Sequence, residues 1–192
     1  MPKKRSQRRE DLLDASIQYI LENGVADLSL RPLAAAVGSK ARLLVYHFGS
    51  KDTLVAEAMI LIRNRAQQAF VEVARSAQAT TPFDIMQVFW RWATAKEREP
   101  YLRLLFEVHG LALQRPAHYG RYLEGALTGW IELMAMVLPA NLSHARRRAL
   151  ATLAVSAVLG LLLDYLSSGS KKRASDAFDL FAKNFSSLLK EG

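Results

Sequence analysis

The sequence has no cysteine among its 192 residues, which excludes disulfide bonds and thiolate metal sites. This absence suits a reducing compartment, and we expect a cytoplasmic protein. The basic residues near the start are not followed by an apolar stretch, so no secretory signal is expected. No segment alternates apolar and polar residues with period two, so no β-strand is predicted.

The motifs that mark common enzymes are also missing. His-Glu-x-x-His, a glycine-rich phosphate loop and Gly-x-Ser-x-Gly do not occur. Glu107 and His109 are two residues apart and would not face each other on a helix. Pro116 separates His109 from His118, so these two histidines do not share one helix. We therefore predict no enzyme activity, no catalytic residue, no metal and no cofactor.

One uncharged apolar run occupies residues 149–163. A membrane span needs about 20 residues, so the run is too short to cross a bilayer, and Asp164 ends it. Because three arginines precede it, a membrane-associated helical protein remains an alternative. We predict a buried helix of a soluble bundle and no membrane partner.

The formal net charge is +8, which indicates a polyanionic partner. Residues 1–51 hold nine Lys or Arg against five Asp or Glu. Five of these basic residues precede the first acid, namely Lys3, Lys4, Arg5, Arg8 and Arg9. On charge alone this run is either a solvated, disordered tail or an arm that binds phosphates. The second interpretation requires a DNA-reading element beside it.

Every long periodic stretch repeats at three or four residues, which predicts an all-α protein of about nine helices. Capping residues, prolines and glycines set the predicted boundaries. These boundaries fall at Asn23-Gly24, Ser29, Gly38, Ser50, Thr81-Pro82-x-Asp84, Pro100, Pro116, Pro139, Ser143 and Ser168-Gly169-Ser170. One continuous helix is predicted for residues 118–138.

Residues 29–48 have the pattern of two short helices joined by a tight turn. Ala34 has a small side chain, which lets the two helices approach closely where they cross. Gly38 tolerates the positive φ that the turn needs. Apolar residues supply a core shared with the first helix, namely Leu30, Leu33, Val37, Leu44 and Phe48. The pattern is typical of a helix-turn-helix, although other helical hairpins share it.

The second helix of this pair carries side chains suited to DNA. Arg42 can form two hydrogen bonds to guanine, and Leu43 or Ala41 can contact a thymine methyl. Tyr46 and His47 have donors for phosphate oxygens, or else they pack on the helix surface. The predicted DNA-binding residues are Lys3, Lys4, Arg5, Arg8, Ser29, Arg31, Ser39, Lys40, Ala41, Arg42, Leu43, Tyr46, His47 and Lys51.

Residues 9–55 resemble the tetracycline-repressor (TetR) family of bacterial transcription regulators. The resemblance is carried by Arg9, Leu13-x-Ala15, Gly24, Leu30-x-x-Leu33-Ala34, Gly38, Leu44 and Tyr46-His47-Phe48-Gly49-Ser50-Lys51-Asp52-x-Leu54. It implies an all-α homodimer with a DNA-binding head and an effector-binding body. It also implies that the basic arm lies along the DNA backbone or enters the minor groove. The chain departs at Val45, where the family usually has an aromatic residue, and at Arg42, where it often has a small one.

We predict a helix-turn-helix DNA-binding domain at 1–51, called the head, and a helical effector-binding and dimerisation domain at 52–192. The resemblance implies a ligand cavity in the second domain, and its aromatic residues suit an apolar small-molecule effector. The predicted pocket residues are Trp90, Phe106, His109, Tyr122 and Trp130. The alternative is that these aromatic side chains fill the core.

The last two long helices are the predicted pairing surface. The run at 149–163 is apolar all round, so the core of one monomer cannot cover every face of it. Two such helices from each chain would form a four-helix bundle around a two-fold axis. The predicted interface residues are Leu153, Ala157, Leu161, Phe178, Phe181 and Phe185.

These features together predict a dimeric transcriptional regulator, acting as a repressor, that binds palindromic double-stranded operator DNA. A small-molecule effector is predicted to release it. The alternative is a regulator of the same fold with no small effector, gated by a protein partner. That alternative predicts a body packed solid around Trp90 and Trp130.

Overall fold

The computed structural model describes residues 2–189, with side chains from residue 6 onward. Within this range the protein is all-α, as predicted, and no residue is in a strand. A short 3-10 helix covers Lys96–Arg98. The α-helices are α1 (Pro2–Asn23), α2 (Leu30–Ala36), α3 (Ala41–Phe48), α4 (Lys51–Ser76), α5 (Pro82–Ala93), α6 (Glu99–Gln114), α7 (Pro116–Gly125), α8 (Thr128–Val137), α9 (His144–Ser168) and α10 (Lys171–Leu188).

The predicted single helix over residues 118–138 is two helices, and this accounts for the difference from the predicted nine. The break falls between Gly125 and Thr128, next to two glycines, which are poor helix formers. Both glycines lie close to side chains of α4. A Cβ on Gly125 would lie 2.7 Å from Arg63 Nη1, and one on Gly129 would lie 2.4 Å from Gln67 Nε2. Their local conformation is therefore fixed by close packing as well as by weak helix propensity.

Most of the predicted boundaries are confirmed by the cap geometry. Thr81 Oγ1 accepts a hydrogen bond from the Asp84 backbone N–H at 3.1 Å, which completes a capping box with Pro82 at the first turn. Ser50 and Ser143 cap α4 and α9 in the same way. Ser29 holds the N-cap position of α2, but its side chain makes no cap hydrogen bond.

Gly38 forms the turn between α2 and α3. It has a φ of 61°, in the left-handed region. Its N–H donates to the Ala35 carbonyl at 3.2 Å, and the Ser39 N–H donates to the Ala34 carbonyl at 2.8 Å. These two bonds form the motif that commonly ends a helix at a left-handed glycine. They fix the direction in which α3 leaves the turn.

The described chain packs as two compact units. Unit 1 consists of residues 2–65 and 100–126, and unit 2 of residues 66–99 and 127–189. The boundary between units therefore differs from the functional division predicted at residue 51. Residues 52–65 and 100–126 pack together with the head, because its apolar faces need cover that the first 51 residues do not provide. The functional division remains a prediction.

Unit 1 has one continuous apolar core. Helices α1, α2 and α3, the first half of α4, and most of α6 and α7 contribute to it. Its largest fully buried side chains are Leu12, Ile20, Leu33, Leu44, Leu54, Val55, Met59, Val108, Tyr119 and Tyr122. The helix-turn-helix thus shares its core with helices of the predicted body.

Unit 2 is built from α5, α8, α9, α10 and the end of α4. Trp90 of α5 stacks on Phe178 of α10 with ring centroids 4.6 Å apart, and its Nε1 donates to Ser175 Oγ at 2.9 Å. A second aromatic cluster joins Phe70, Phe89, Trp92 and Trp130. Two separate aromatic cores therefore hold this unit together.

Helix α9 is long and apolar enough to cross a membrane by length and composition, with a mean hydropathy of 2.0 over its most apolar window. A core helix passes the same test. Six of its residues are buried in unit 2, namely Leu150, Ala151, Ala154, Val158, Leu162 and Tyr165. Leu153 and Leu163 are nearly half exposed, so part of the helix remains uncovered in a single chain.

We expect Gly38→Ala to lower the free energy of unfolding by about 1–2 kcal/mol, since only the backbone strain of a left-handed residue is added. A Cβ at this position meets no described atom within 4 Å, so packing does not contribute. Chemical denaturation measures the effect. Gly110→Ala, in the interior of α6 and also with open space, is the control and should stabilise by about 0.5–1 kcal/mol. A neutral Gly38→Ala would contradict the turn geometry.

Candidate nucleic-acid interface

Helix α3 has a buried face and an exposed face. Leu44 and Phe48, four residues apart, are 0% and 4% exposed and anchor the helix in the core of unit 1. On the other side Arg42 is exposed, and Val45 and Tyr46 are 45% and 59% exposed. Since the buried pair fixes the rotation of the helix, the second face is held outward as a rigid surface.

The predicted DNA-binding residues occupy different positions relative to this surface. Those with exposed side chains are Arg8, Ser29, Arg31, Lys40, Arg42 and Tyr46. Those that are half-buried are Ser39, Ala41, Leu43, His47 and Lys51. The side chains of Lys3, Lys4 and Arg5 lie outside the described residues, although the backbone of the basic run is helical from Pro2 as part of α1.

Ser39 differs from the other predicted contacts. Its Oγ is buried and has no hydrogen-bond partner among the described residues. Its backbone N–H is used by the turn after α2. Ser39 therefore supports the turn, and its hydroxyl does not face outward with Arg42.

Arg9 holds α1, α3 and α4 together. Its Nε donates to the His47 carbonyl at 3.3 Å, and its Nη2 forms an ion pair with Glu57 of α4. The guanidinium also lies over the Phe48 ring, 4.8 Å from the centroid. In the sequence Arg9 belonged to the basic run and to the family resemblance, and it was not predicted to position a helix. The structure gives it a positioning role at the end of the candidate recognition helix.

Glu107 of α6 supports the turn after α1. Its Oε1 accepts hydrogen bonds from the backbone N–H groups of Val25 at 3.0 Å and Ala26 at 2.6 Å. Gly24 makes room for the carboxylate, because a Cβ there would lie 3.0 Å from Glu107 Oε2. Sequence reasoning compared Glu107 only with its neighbour His109 and missed this contact 82 residues away.

Asp52 ties the start of α4 to α7. Its Oδ1 accepts a hydrogen bond from the Tyr119 hydroxyl at 3.1 Å, and Arg115 Nη1 lies 4.0 Å from Oδ2. Burial and the nearby Asp52 charge raise the pKa of Tyr119 well above its usual value, so it remains a neutral donor. Lys51, which directly follows the cap of α4, is therefore held on a fixed backbone.

The predicted effector residues divide between the two units. Phe106, His109 and Tyr122 belong to unit 1, where the rings of His109 and Tyr122 meet edge-on with centroids 6.1 Å apart. Trp90 and Trp130 belong to unit 2, where they lie in separate aromatic clusters. Within unit 2 these two tryptophans do not come together in one cluster.

The predicted interface residues also divide by exposure. Leu153 is 46% exposed, and Ala157, Leu161 and Phe181 are half-buried. Phe178 and Phe185 are 0% and 1% exposed, which corrects their expected place on a surface. Their rings are buried within the single chain because α10 packs against α5 and α9.

Comparison with known proteins agrees with this architecture. Residues 12–58 match the family model described as bacterial regulatory proteins, tetR family. The chain is 37% identical over 71 residues to the HTH-type transcriptional regulator BetI of Stenotrophomonas maltophilia (strain R551-3), an alignment that spans 36% of each chain. It is 25% identical over 182 residues, 90% of each chain, to the HTH-type nicotine-responsive transcriptional repressor HdnoR of Paenarthrobacter nicotinovorans.

A crystal structure described as a TetR-family transcriptional regulator from Rhodococcus sp. has the same fold, with a TM-score of 0.72, 18% identity, and coverage of 96% of this chain and 99% of the other. The fold and the exposed second helix define a helix-turn-helix protein. The resemblance seen in the sequence is confirmed for residues 12–58, which match the tetR family model, and the chain as a whole is similar to regulators of that type.

We expect Glu107→Ala to lower the free energy of unfolding by about 1–3 kcal/mol, because two backbone donors lose a charged acceptor. Glu107→Gln should lower the free energy of unfolding less, since its amide oxygen can still accept these hydrogen bonds. Urea denaturation measures both changes, and amide exchange should accelerate at Val25 and Ala26. Glu132→Ala, at an exposed site on α8, is the control and should stay within about 0.5 kcal/mol. Equal effects of the two alanine variants would rule out the bracing role of Glu107.

Proposed function

We propose that the protein is a dimeric cytoplasmic repressor that binds palindromic operator DNA and releases it when a small molecule binds the body. The observation that carries this proposal is the exposed face of α3, where Arg42 and Tyr46 stand opposite the buried Leu44 and Phe48. A helix held by one face with polar, basic residues on the other suits the major groove.

Each exposed residue of the head has a role in this proposal. Arg42 reads a base edge, and Lys40 and Tyr46 contact phosphates on either side of it. Lys51 adds positive charge at the N-terminal end of α4, where helix N–H groups also favour phosphate. Arg8 and the preceding basic residues extend along the DNA backbone from α1. Ser39 is left out of the contact set because its hydroxyl is buried.

We place the pairing surface on α9. Leu153, Ala157 and Leu161 follow each other every four residues and are exposed or half-buried in the single chain. Phe181 of α10 is also half-buried and extends the proposed surface. A second copy that covers this stripe would remove it from water, and a two-fold axis makes the same patch serve both chains. A dimer then presents two recognition helices to the two halves of a palindrome.

Control by a small molecule is supported by the way the helix-turn-helix is held. Glu107 of α6 and Glu57 of α4 contact residues of the head, and Asp52 of α4 accepts a hydrogen bond from Tyr119 of α7. A ligand that shifts α4 against α6 and α7 would therefore move the recognition surface. The HdnoR repressor, similar over 90% of its length, is described as nicotine-responsive. Gating by a protein partner is the competing outcome of the tests below.

We expect Arg42→Ala to weaken binding to the selected operator by about 1–3 kcal/mol and to relax base preference, because a base contact is lost. Lys51→Ala should weaken binding to all sequences alike and reduce the slope of log affinity against log salt by about one. The operator is selected from random DNA with the parent protein, and binding is measured by fluorescence anisotropy at several salt concentrations.

Arg91→Ala, at an exposed site on α5, is the charge-matched control and should bind as the parent does. If Arg42→Ala and Lys51→Ala also bind as the parent does, α3 is not the DNA-reading helix. If the parent binds its operator and no small molecule weakens that binding while a protein partner does, the alternative form of regulation holds.

We expect Leu153→Glu to raise the dimer dissociation constant at least 100-fold. Burying a leucine is worth about 1.5–3 kcal/mol, and a two-fold interface contains it twice. Sedimentation equilibrium in detergent-free buffer measures this change. Leu113→Glu on α6, with 64% of that leucine exposed, is the matched control outside the proposed surface. A parent that is monomeric, or soluble only in detergent, would contradict pairing through α9.

A further inference from the structure

Arg63 of α4 is half-buried, and one nitrogen of its guanidinium is buried among the described residues. Its Nη1 is buried and has no hydrogen-bond partner among the residues described. Its Nε and Nη2 lie 3.4 and 3.3 Å from the Oδ1 of Asn64, which is neutral. A buried N–H of a charged group is costly when it lacks an acceptor, so an anionic acceptor that reaches Nη1 would be favoured there.

Three acidic residues of unit 1 on α4 and α6 have other partners. Glu57, on the same helix, pairs with Arg9, and Glu107 accepts the backbone N–H groups after α1. Asp52 accepts the Tyr119 hydroxyl. No described carboxylate forms an ion pair with Arg63, so its buried Nη1 is available to an acceptor other than these residues.

Tyr122 of α7 supplies a second unused donor in the same region. Its hydroxyl is buried without a hydrogen-bond partner in the described part of the chain, and the residue is 1% exposed. Burial raises the pKa of Tyr122 to about 12, and the Arg63 charge partly opposes that rise. The hydroxyl is therefore protonated at neutral pH. A guanidinium and a phenol close enough to interact electrostatically are both free to donate.

The surroundings of this pair are small and apolar. The guanidinium packs directly against Gly125, since a Cβ there would lie 2.7 Å from Nη1. Tyr122 belongs to the core cluster that also contains Met59, Ile62 and Ala126. The ring of His109 borders Tyr122 edge-on. A ligand at this place needs one anionic group and an apolar remainder.

We propose that Arg63 and Tyr122 recognise the carboxylate of an organic acid whose remaining part is apolar. We also propose that this acid is the effector, which rests on the proposed function. A single cation matches a singly charged carboxylate, which accepts from a guanidinium and a hydroxyl together. An amine would be repelled by Arg63, and a neutral molecule would leave its charge uncompensated. The site lies on α4 and α7, which share the core of unit 1 with the helix-turn-helix.

The test uses the full chain and three sets of probes with matched carbon frames. These are octanoate, octanamide and octylamine; benzoate, benzamide and benzylamine; and phenylbutyrate with its amide and amine. Calorimetry gives the dissociation constants. At least one carboxylate should bind ten times or more tightly than its amide and its amine. Arg63→Gln should lose at least tenfold of that affinity, Arg63→Lys less, and Tyr122→Phe several-fold.

Arg121→Gln, at an exposed site on α7, removes the same charge and should leave carboxylate binding unchanged. The proposal is wrong if no carboxylate binds, or if the parent and Arg63→Gln bind them equally. It is also wrong if the amines bind best. The conservative Arg63→Lys and Tyr122→Phe keep the test valid if Arg63→Gln does not fold.

Operator binding, measured separately, distinguishes this inference from the function on which it rests. If carboxylates bind through Arg63 but leave DNA affinity unchanged, the anion site stands and its effector role fails. If a neutral or cationic molecule releases DNA equally from the parent and from Arg63→Gln, small-molecule control stands and the anion site is refuted as its sensor.

Discussion

Helices α2 and α3 have seven and eight residues, and isolated helices of that length are not stable in water. Their stability has to come from burying Leu33, Leu44 and Phe48 against other helices. The first 51 residues do not complete this core, and residues of α4, α6 and α7 close it. The surface that faces DNA in the proposed function is thus positioned by helices of the predicted body, and its orientation depends on how they pack.

Helix α4 is one continuous helix that carries both the contacts near the helix-turn-helix and the proposed anion site. Asp52 and Glu57 hold its first turns to α7 and α1, and Arg63 lies eleven residues beyond Asp52, about 16 Å along the axis. A helix without a break transmits displacement over that distance without a separate hinge. A ligand that prefers one placement of α4 then changes DNA affinity by the difference in its own affinity for the two placements.

Local signals were readable from the sequence, and long-range ones were not. The Thr81 cap, the Gly38 turn and the Ser143 start depend on residues within a few positions, so pattern alone located them. The break after Gly125 was missed because apolar periodicity continues through it, while the cause lies in α4. Glu107 and Arg63 were not recognised because their significance depends on groups brought near by folding. The interior place of Phe178 was hidden for the same reason, since its stacking partner Trp90 is on another helix.

In the proposed anion site, the ligand preference depends on one small residue, Gly125. Because Gly125 has a hydrogen atom where alanine has a methyl group, the guanidinium of Arg63 can pack against it. The residues that face outward on α3 are far along the chain and do not share this constraint. Related regulators that diverge at this single glycine would thus come to respond to different compounds while continuing to govern the same genes.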